Sequence, residues 1–350
     1  TSSNSPLDDD GHGTHVAGTI AAIDNSEGVV GVAPGAKLWS VKVLDASGTG
    51  AWSSVICGLE FVASKGPLNG GPIKGANLSL GANVGYSAND NNCGLTNFDP
   101  LHTAVCKARD AGVVLVAAAG NNRGAVANFV PAAYDDALIA VSVLSDTDGI
   151  PGAKGFYIFD DVFPDFSNYG ATIDLAAPGV AVNSTFLGGG YRFLTGTSMA
   201  SPHVAGVAAL YLKENPTAKW TAVRDALVKA GEPFGPGNHS QFDQSGTLTH
   251  PEPLVQGSSN SVIVFSDELS YGKGQQINVY WNNAQNGNPK DWIGTVRVGL
   301  PYETGILGGA GNFFFTDGAK SGLKTLVAPD IGSYQWLTSG AGNPRFKDVK

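Results

Sequence analysis

The stretch Gly196-Thr197-Ser198-Met199-Ala200-Ser201-Pro202-His203-Val204-Ala205-Gly206 decides how the rest of the chain is read. A β-like segment, Tyr191 to Leu194, enters it from the turn Gly188-Gly189-Gly190. A helix of small residues leaves it through Ala208, Ala209 and Leu210 to about Glu214. Pro202 is expected in the first helical turn, where its missing N–H costs nothing. Ser198 then lies at or just before a helix N-terminus, where unpaired amides and the positive end of the dipole collect. A hydroxyl placed there can attack a carbonyl while neighbouring N–H groups receive the oxyanion. A plain N-cap would occupy the same position. Against that reading, Ala200, Ser201, Ala205, Gly206, Ala208 and Ala209 suit close packing inside a protein and would be wasted on a surface helix.

The 350 residues accommodate one large domain and a smaller one. Hydrophobic residues make up 42%, enough for a core, and 48 glycines point to many tight turns and close backbone approaches. A net charge of −9 argues against nucleic acid or an anionic membrane as partner. No apolar run reaches the roughly 18 residues of a membrane helix. No signal peptide opens the chain, and Thr1 to Asp10 reads as an interior loop, so upstream sequence is expected. Cys57, Cys93 and Cys106 allow one disulfide and one free thiol. A Cys93–Cys106 bridge would staple a local excursion, and Cys57 is expected to be a small buried hydrophobe.

Taken in order, Asp10-Gly11-His12-Gly13-Thr14-His15-Val16-Ala17-Gly18-Thr19 opens a first small-residue helix with a histidine at its mouth. His15, one turn further in, reads as a satisfied polar residue. Leu38 to Leu44 is predicted as a buried strand, Trp52 to Ala63 as a helix, and Ala76 to Leu80 as a second strand. An Asn- and Asp-rich loop, Asn83 to Phe98, leads to a helix over Pro100 to Ala111. Val113 to Ala119 is a continuous apolar run, as for a parallel strand covered on both faces, and it ends in Gly120-Asn121-Asn122. Ala137 to Leu144 and Thr172 to Ala176 are further strands, and Thr217 to Ala230 a last helix. This alternation predicts an α/β fold with a parallel sheet wrapped by helices and a site at the carboxyl ends of its strands.

Residues 236–257, rich in Gly, Pro and Ser, read as a linker between a domain over 1–235 and one over 258–350. Beyond it, Val262 to Phe265, Gln276 to Trp281, Trp292 to Val298, Phe313 to Thr316, Leu323 to Ala328 and Tyr334 to Leu337 are short β-like runs separated by turns. They predict a small all-β sandwich.

Three motifs in fixed order carry a resemblance. They are His12 in His-Gly-Thr-His-Val-Ala-Gly, Asn121 in Ala-Ala-Ala-Gly-Asn, and Ser198 in Gly-Thr-Ser-Met-Ala-Ser-Pro-His. Together they resemble the subtilisin-like serine proteases, over about Asp10 to Ala230. The resemblance implies hydrolysis of peptide bonds through an acyl-enzyme. Ser198 would be the nucleophile, His12 the general base, and Asn121 an oxyanion donor. Gly48, Thr49 and Gly50 would form one edge, and Ser79, Leu80 and Gly81 the other, of a cleft that takes an extended polypeptide by strand addition. Trp52 would rim an outer pocket. Ala118, Ala119 and Gly120 would line the pocket for the residue before the scissile bond, their small walls suggesting a broad apolar preference. Phe129, near its floor, would make it shallow. The loop Ile23 to Val29 resembles the family's strong Ca2+ site, with Asn25 offering its side-chain oxygen and Ile23, Glu27 and Val29 their carbonyls. Secretion and a monomeric state are expected.

The sequence departs from the family at the third triad member, an Asp on a first strand well upstream of the histidine. His12 has only eleven residues before it. Asp8, Asp9 and Asp10 are near in sequence but read as a solvated run. An N-terminally truncated chain, nearly inactive for want of this carboxylate, is the expectation. Two rivals remain. One is an inactive relative that binds peptides. The other is binding through the C-terminal domain, whose Asp291-Trp292-Ile293-Gly294 resembles a motif of small Ig-like or fibronectin-like sandwiches, and whose Trp281, Trp292, Tyr302 and Trp336 could form a binding face for protein or polysaccharide.

Overall fold

The computed structural model describes residues 7–25, 27–146, 160–234 and 250–257 in full, with the backbone of 242–243 and of the strands beyond 257. The chain divides into two compact units, Thr1–Gln256 and Gly257–Lys350.

Unit 1 holds helices α1 (His12–Ala21), α2 (Trp52–Ser64), α3 (Pro100–Asp110), α4 (Thr197–Glu214) and α5 (Trp220–Ala230). Its strands are β1 (Gly75–Leu78), β2 (Ala82–Asn83), β3 (Val114–Ala118), β4 (Phe129–Val130), β5 (Ile139–Leu144), β6 (Val162–Phe163), β7 (Leu175–Pro178), β8 (Val182–Phe186), β9 (Gly190–Leu194) and β10 (Phe242–Asp243). The core sheet runs β1-β3-β5-β7, every pair parallel. Parallel neighbours need crossovers, and α2, α3 and α4 lie against the faces.

The period-2 alternation of β3 sorts its side chains into two layers. Leu115 and Ala117 face a cluster with Val55, Leu59 and Val62 of α2 and Leu101 and Val105 of α3. Val114 and Val116 face the opposite cluster, with Ala200, Val204 and Leu212 of α4. Both faces being covered explains why β3 and β5 are buried at every position. Each fully buried Val or Leu contributes about 1.5–3 kcal/mol relative to an exposed one. The small residues of α4 let it lie close. A Cβ on Gly206 would collide with Val32.

Two readings are corrected. Leu38 to Leu44 forms no strand. Leu38 and Trp39 are about half exposed, and the segment lines the same cavity as β1, with no strand among the described residues paired to it. Cys57 is exposed and free, because it falls on the α2 face opposite Val55, Leu59 and Val62. Cys93 and Cys106 are bridged. Part of the expected linker is built into unit 1. Ala176 N donates to Pro253 O at 2.9 Å, Leu254 is buried, and His250 stacks on Phe163.

In unit 2, β11 (Ile263–Ser266), β12 (Gln276–Asn282) and β15 (Ser321–Val327) form one antiparallel sheet. β13 (Trp292–Arg297), β14 (Phe313–Phe315), β16 (Tyr334–Gly340) and β17 (Asn343–Lys347) form another, in the order β14-β13-β16-β17. The side chains of Trp281, Trp292, Tyr302 and Trp336 lie outside the described residues.

Candidate active site

α1 begins with no capping side chain on Gly11, whose φ of 102° is left-handed. Asp8 does the capping from further back. Its carboxylate accepts from Thr14 N at 2.7 Å, Thr14 Oγ1 at 2.6 Å, Gly11 N at 2.9 Å and Asp10 N at 3.1 Å. These bonds fix the turn that presents His12, the first residue of the helix. Gly11 has a second reason to be glycine, since the Phe186 ring fills the space a Cβ would take.

Burial pushes the half-buried His12 imidazole below its ordinary pKa, against the opposing pull of the Asp10 and Asp8 carboxylates. The lowered pKa favours the neutral imidazole, the form a general base requires. Among the described residues no carboxylate is hydrogen-bonded to this ring. His15 has the structural role its position suggested. It is fully buried, and its Nε2 lies 3.0 Å from Val182 O and 2.9 Å from Arg192 O, tying α1 to the β8–β9 hairpin.

Asn121 follows the end of β3. Its Oδ1 accepts from Thr197 N at 2.9 Å and from Thr197 Oγ1 at 3.0 Å. Both partners are donors, so the oxygen must face them and the NH2 points away, free to donate. Thr197 in turn accepts from Gly120 N at 3.0 Å. Asn168 braces the same turn, donating to Ala119 O and accepting from Asn122 N and Gly124 N.

Ser198 is the second residue of α4, so no preceding turn satisfies its N–H. Pro202 sits in the second turn of this helix and not the first. That position has a cost, since it deprives Ser198 O of its helical donor. Ser79 supplies the replacement, its Oγ donating to Ser198 O at 2.7 Å. Asn77 Nδ2 donates to Ser79 Oγ at 2.9 Å, and Asn77 Oδ1 accepts from Ser201 Oγ at 2.5 Å. Ser198 Oγ itself donates a long bond of 3.4 Å to Ser79 O. The Ser198 carbonyl is thus anchored to the loop after β1, while its hydroxyl is only loosely engaged.

His12, Asn121 and Ser198 all line one cavity of about 1480 Å³. Gly48, Thr49, Gly50, Ser79, Leu80, Gly81, Ala118, Gly120 and Trp52 line it too. Ala119 does not. It is fully buried in the cluster on the other face of the sheet, as alternation along an extended chain requires. The sequence reading missed Asp8 as a cap, Thr197, Asn168 and the Asn77–Ser79 pair. Only Thr197 carried a signal, its place beside Ser198.

The calcium loop is a poorer fit. Asn25 Oδ1 already accepts from Glu27 N at 3.2 Å. With the carbonyls of Ile23, Glu27 and Val29 it makes fewer oxygens than the roughly six to eight that Ca2+ takes.

The Subtilase family model matches residues 1–251. The chain belongs to the subtilase family. It is similar to M-protease of Shouchella clausii, 42% identical over 67% of this chain and 53% of the relative. It is also similar to Subtilisin Savinase of Lederbergia lenta, 42% identical over 67% of this chain and 75% of the relative. A solved cold-adapted subtilisin-like serine proteinase is 32% identical with a TM-score of 0.54, covering 71% of this chain and 75% of that one. The chain thus spans about half the length of M-protease. The family match covers the α/β part of this subtilase, where the three motif residues line one cavity. No helix among the described residues is long and apolar enough to cross a membrane.

Proposed function

We propose that this subtilase is a serine endopeptidase acting on polypeptides. The observation that carries the reading is that His12, Asn121 and Ser198 line one cavity, together with the segments Gly48–Gly50 and Ser79–Gly81. An extended substrate lies between Gly48–Gly50 and Ser79–Gly81, its main chain hydrogen-bonded as an added strand. Ser198 Oγ attacks the scissile carbonyl and His12 takes its proton. Asn121 Nδ2 and the Ser198 N–H receive the oxyanion. His12 then protonates the leaving amine, and water attacks the acyl-enzyme by the same route in reverse.

Among the described residues no carboxylate orients the His12 ring. We infer that a further strand completes the sheet in the slot between the free edge of β1 and Leu38–Leu44, and that it brings the triad carboxylate to His12. In subtilisin itself, loss of that carboxylate alone lowers turnover by about 3 × 10⁴. Residual Ser198-dependent turnover is therefore the expected state of this chain. Casein-type hydrolysis compared between this chain and S198A tests the reading. Activity that survives S198A overturns it.

The finer expectations stand as proposals. The loop Ile23 to Val29 takes Ca2+ only with oxygens from outside those four residues. Secretion fits the bridged cysteines. Unit 2 is proposed as a sandwich of its two sheets with an accessory role.

A further inference from the structure

Asn121 stands just past the end of the core sheet. β3 closes at Ala118, and the next bond to β5 runs from Ala119 N to Val141 O at 2.9 Å. Asn121, Asn122 and Arg123 are exposed. A strand-end loop of this kind opens easily when nothing ties it down. A donor that acts on developing charge must be held to within about 0.5 Å. Thr197 meets the loop from one side, fixing the Asn121 amide and accepting from Gly120 N.

The segment Phe166–Tyr169 holds the other side. Asn168 N donates to Gly120 O at 2.9 Å, Arg123 N to Phe166 O at 2.9 Å, and Tyr169 N to Gly124 O at 3.0 Å. The Asn168 side chain is fully buried among these bonds. Its Nδ2 donates to Ala119 O at 2.8 Å, while its Oδ1 accepts from Asn122 N at 3.0 Å and Gly124 N at 2.9 Å. One amide group therefore grips the backbone on both sides of Asn121. It supplies a donor and a two-bond acceptor at once, which no apolar side chain of its size can do. A Cβ on Gly120 would collide with Asn168 Nδ2, so glycine there lets the amide in. The brace is itself fixed to the sheet. Ser167 Oγ donates to Asn168 O at 3.1 Å and accepts from Val143 N of β5 at 3.3 Å.

We propose that Asn168 is a positioning residue for the oxyanion site, holding the backbone of Asn121 while Thr197 holds its amide. The inference rests on the peptidase reading above. Asn168 does not line the cavity, so it acts only through the loop that carries Asn121. N168A leaves Ala119 O, Asn122 N and Gly124 N without these partners and lets Asn121 Nδ2 drift from the place the oxyanion takes. A misplacement of about 1 Å costs as much as about 10²-fold.

The test compares two ligands that differ only at the reacting carbon. N-acetyl-Ala-Pro-Ala trifluoromethyl ketone is attacked by Ser198 Oγ, the hydroxyl proton passing to His12, and its oxygen becomes the anion in the oxyanion site. The matching alcohol forms no such bond. Dissociation constants for both are read by fluorine NMR, without turnover. N168A is expected to lower the ketone/alcohol affinity ratio by about tenfold or more, with affinity for the alcohol changed less than about threefold. In an N121A background N168A is expected to lower the ratio no further, because the donor it positions is gone. A merely structural role weakens both ligands together, or acts equally in both backgrounds. Either result, or an unmoved ratio, overturns the Asn168 assignment. Amide exchange in the wild-type chain reports even if N168A fails to fold. Asn122 N–H and Gly124 N–H are expected to be protected at least about 10²-fold, and exchange at the rate of an open loop overturns the brace. Ketone binding that is as tight in S198A as in the wild type defeats the peptidase reading instead.

Discussion

Thr197 and Asn121 orient one another. The Asn121 side-chain oxygen takes both the amide and the hydroxyl of Thr197, at 2.9 and 3.0 Å, and this turns its NH2 outward. The Asn121 amide is thus preorganised by the residue before Ser198, and in the proposed reaction one turn of chain sets both oxyanion donor and nucleophile. Preorganised donors act only on charge that develops in the transition state. N121A is expected to lower kcat by about 10²–10³ with KM nearly unchanged, the magnitude known for the equivalent donor in subtilisin. T197V keeps the backbone bond and loses the hydroxyl, so its loss in kcat should be smaller. Steady-state kinetics of both variants checks this. A loss seen in KM alone would contradict it.

Pro202 and Ser79 make a coupled pair through Ser198 O. The proline removes the helical donor and the serine replaces it at 2.7 Å. S79A leaves the carbonyl unpaired and is expected to cost about 1–3 kcal/mol of stability. P202A restores a helical N–H, so S79A/P202A should recover part of that loss. Denaturant melts of the four proteins form the cycle. Strictly additive effects would show that Ser79 and Pro202 are not linked in this way.

Asp8 makes the α1 mouth sensitive to acid. Partial burial raises its pKa, but the Thr14 hydroxyl and the Gly11, Thr14 and Asp10 amides outweigh that and hold it at about 2, below the ordinary 3.8. A depressed folded pKa gives stability that is present above 3.8 and is lost as pH falls through about 2. The gap in Tm between wild type and D8N should therefore be full at pH 5 and shrink between pH 4 and 2. A gap independent of pH would contradict the assignment.

Asp174 has the opposite sign. Burial raises its pKa to about 7, although Ala140 N donates to it and Arg224 lies 3.7 Å away. Asp135 and Asp225 add to the rise. A raised folded pKa gives stability that is full below 3.8 and is lost as pH rises through about 7. D174N should remove this slope, gaining on the wild type between pH 5 and 8. Parallel Tm profiles across that window would show that Asp174 is not the group responsible.

Much of this was legible in the sequence because the signals were local. The apolar run around Val114–Ala118 read directly as a doubly covered strand, and Gly-Thr-Ser-Met-Ala-Ser-Pro marked a helix mouth. Leu38–Leu44 looked equally strand-like, but a strand needs a neighbour, and no pattern within the segment shows whether one is present. Ala119 was misplaced because a motif names consecutive residues while an extended chain alternates their faces. Asn168 and Ser79 act across long sequence separations through single hydrogen bonds, which leave no periodic trace. The Phe129 ring could be placed near the pocket, but its position between Gly81 and Gly120 depends on the β2–β4 pairing, which only the fold supplies.

The central claim is that the His12 imidazole activates the Ser198 hydroxyl in a shared cleft. Labelling with diisopropyl fluorophosphate, followed by peptide mass spectrometry, tests it most directly. The label is expected on Ser198, with the rate reduced at least about 10²-fold in H12A. A label that spares Ser198, or that forms on it equally fast in H12A, would contradict the account.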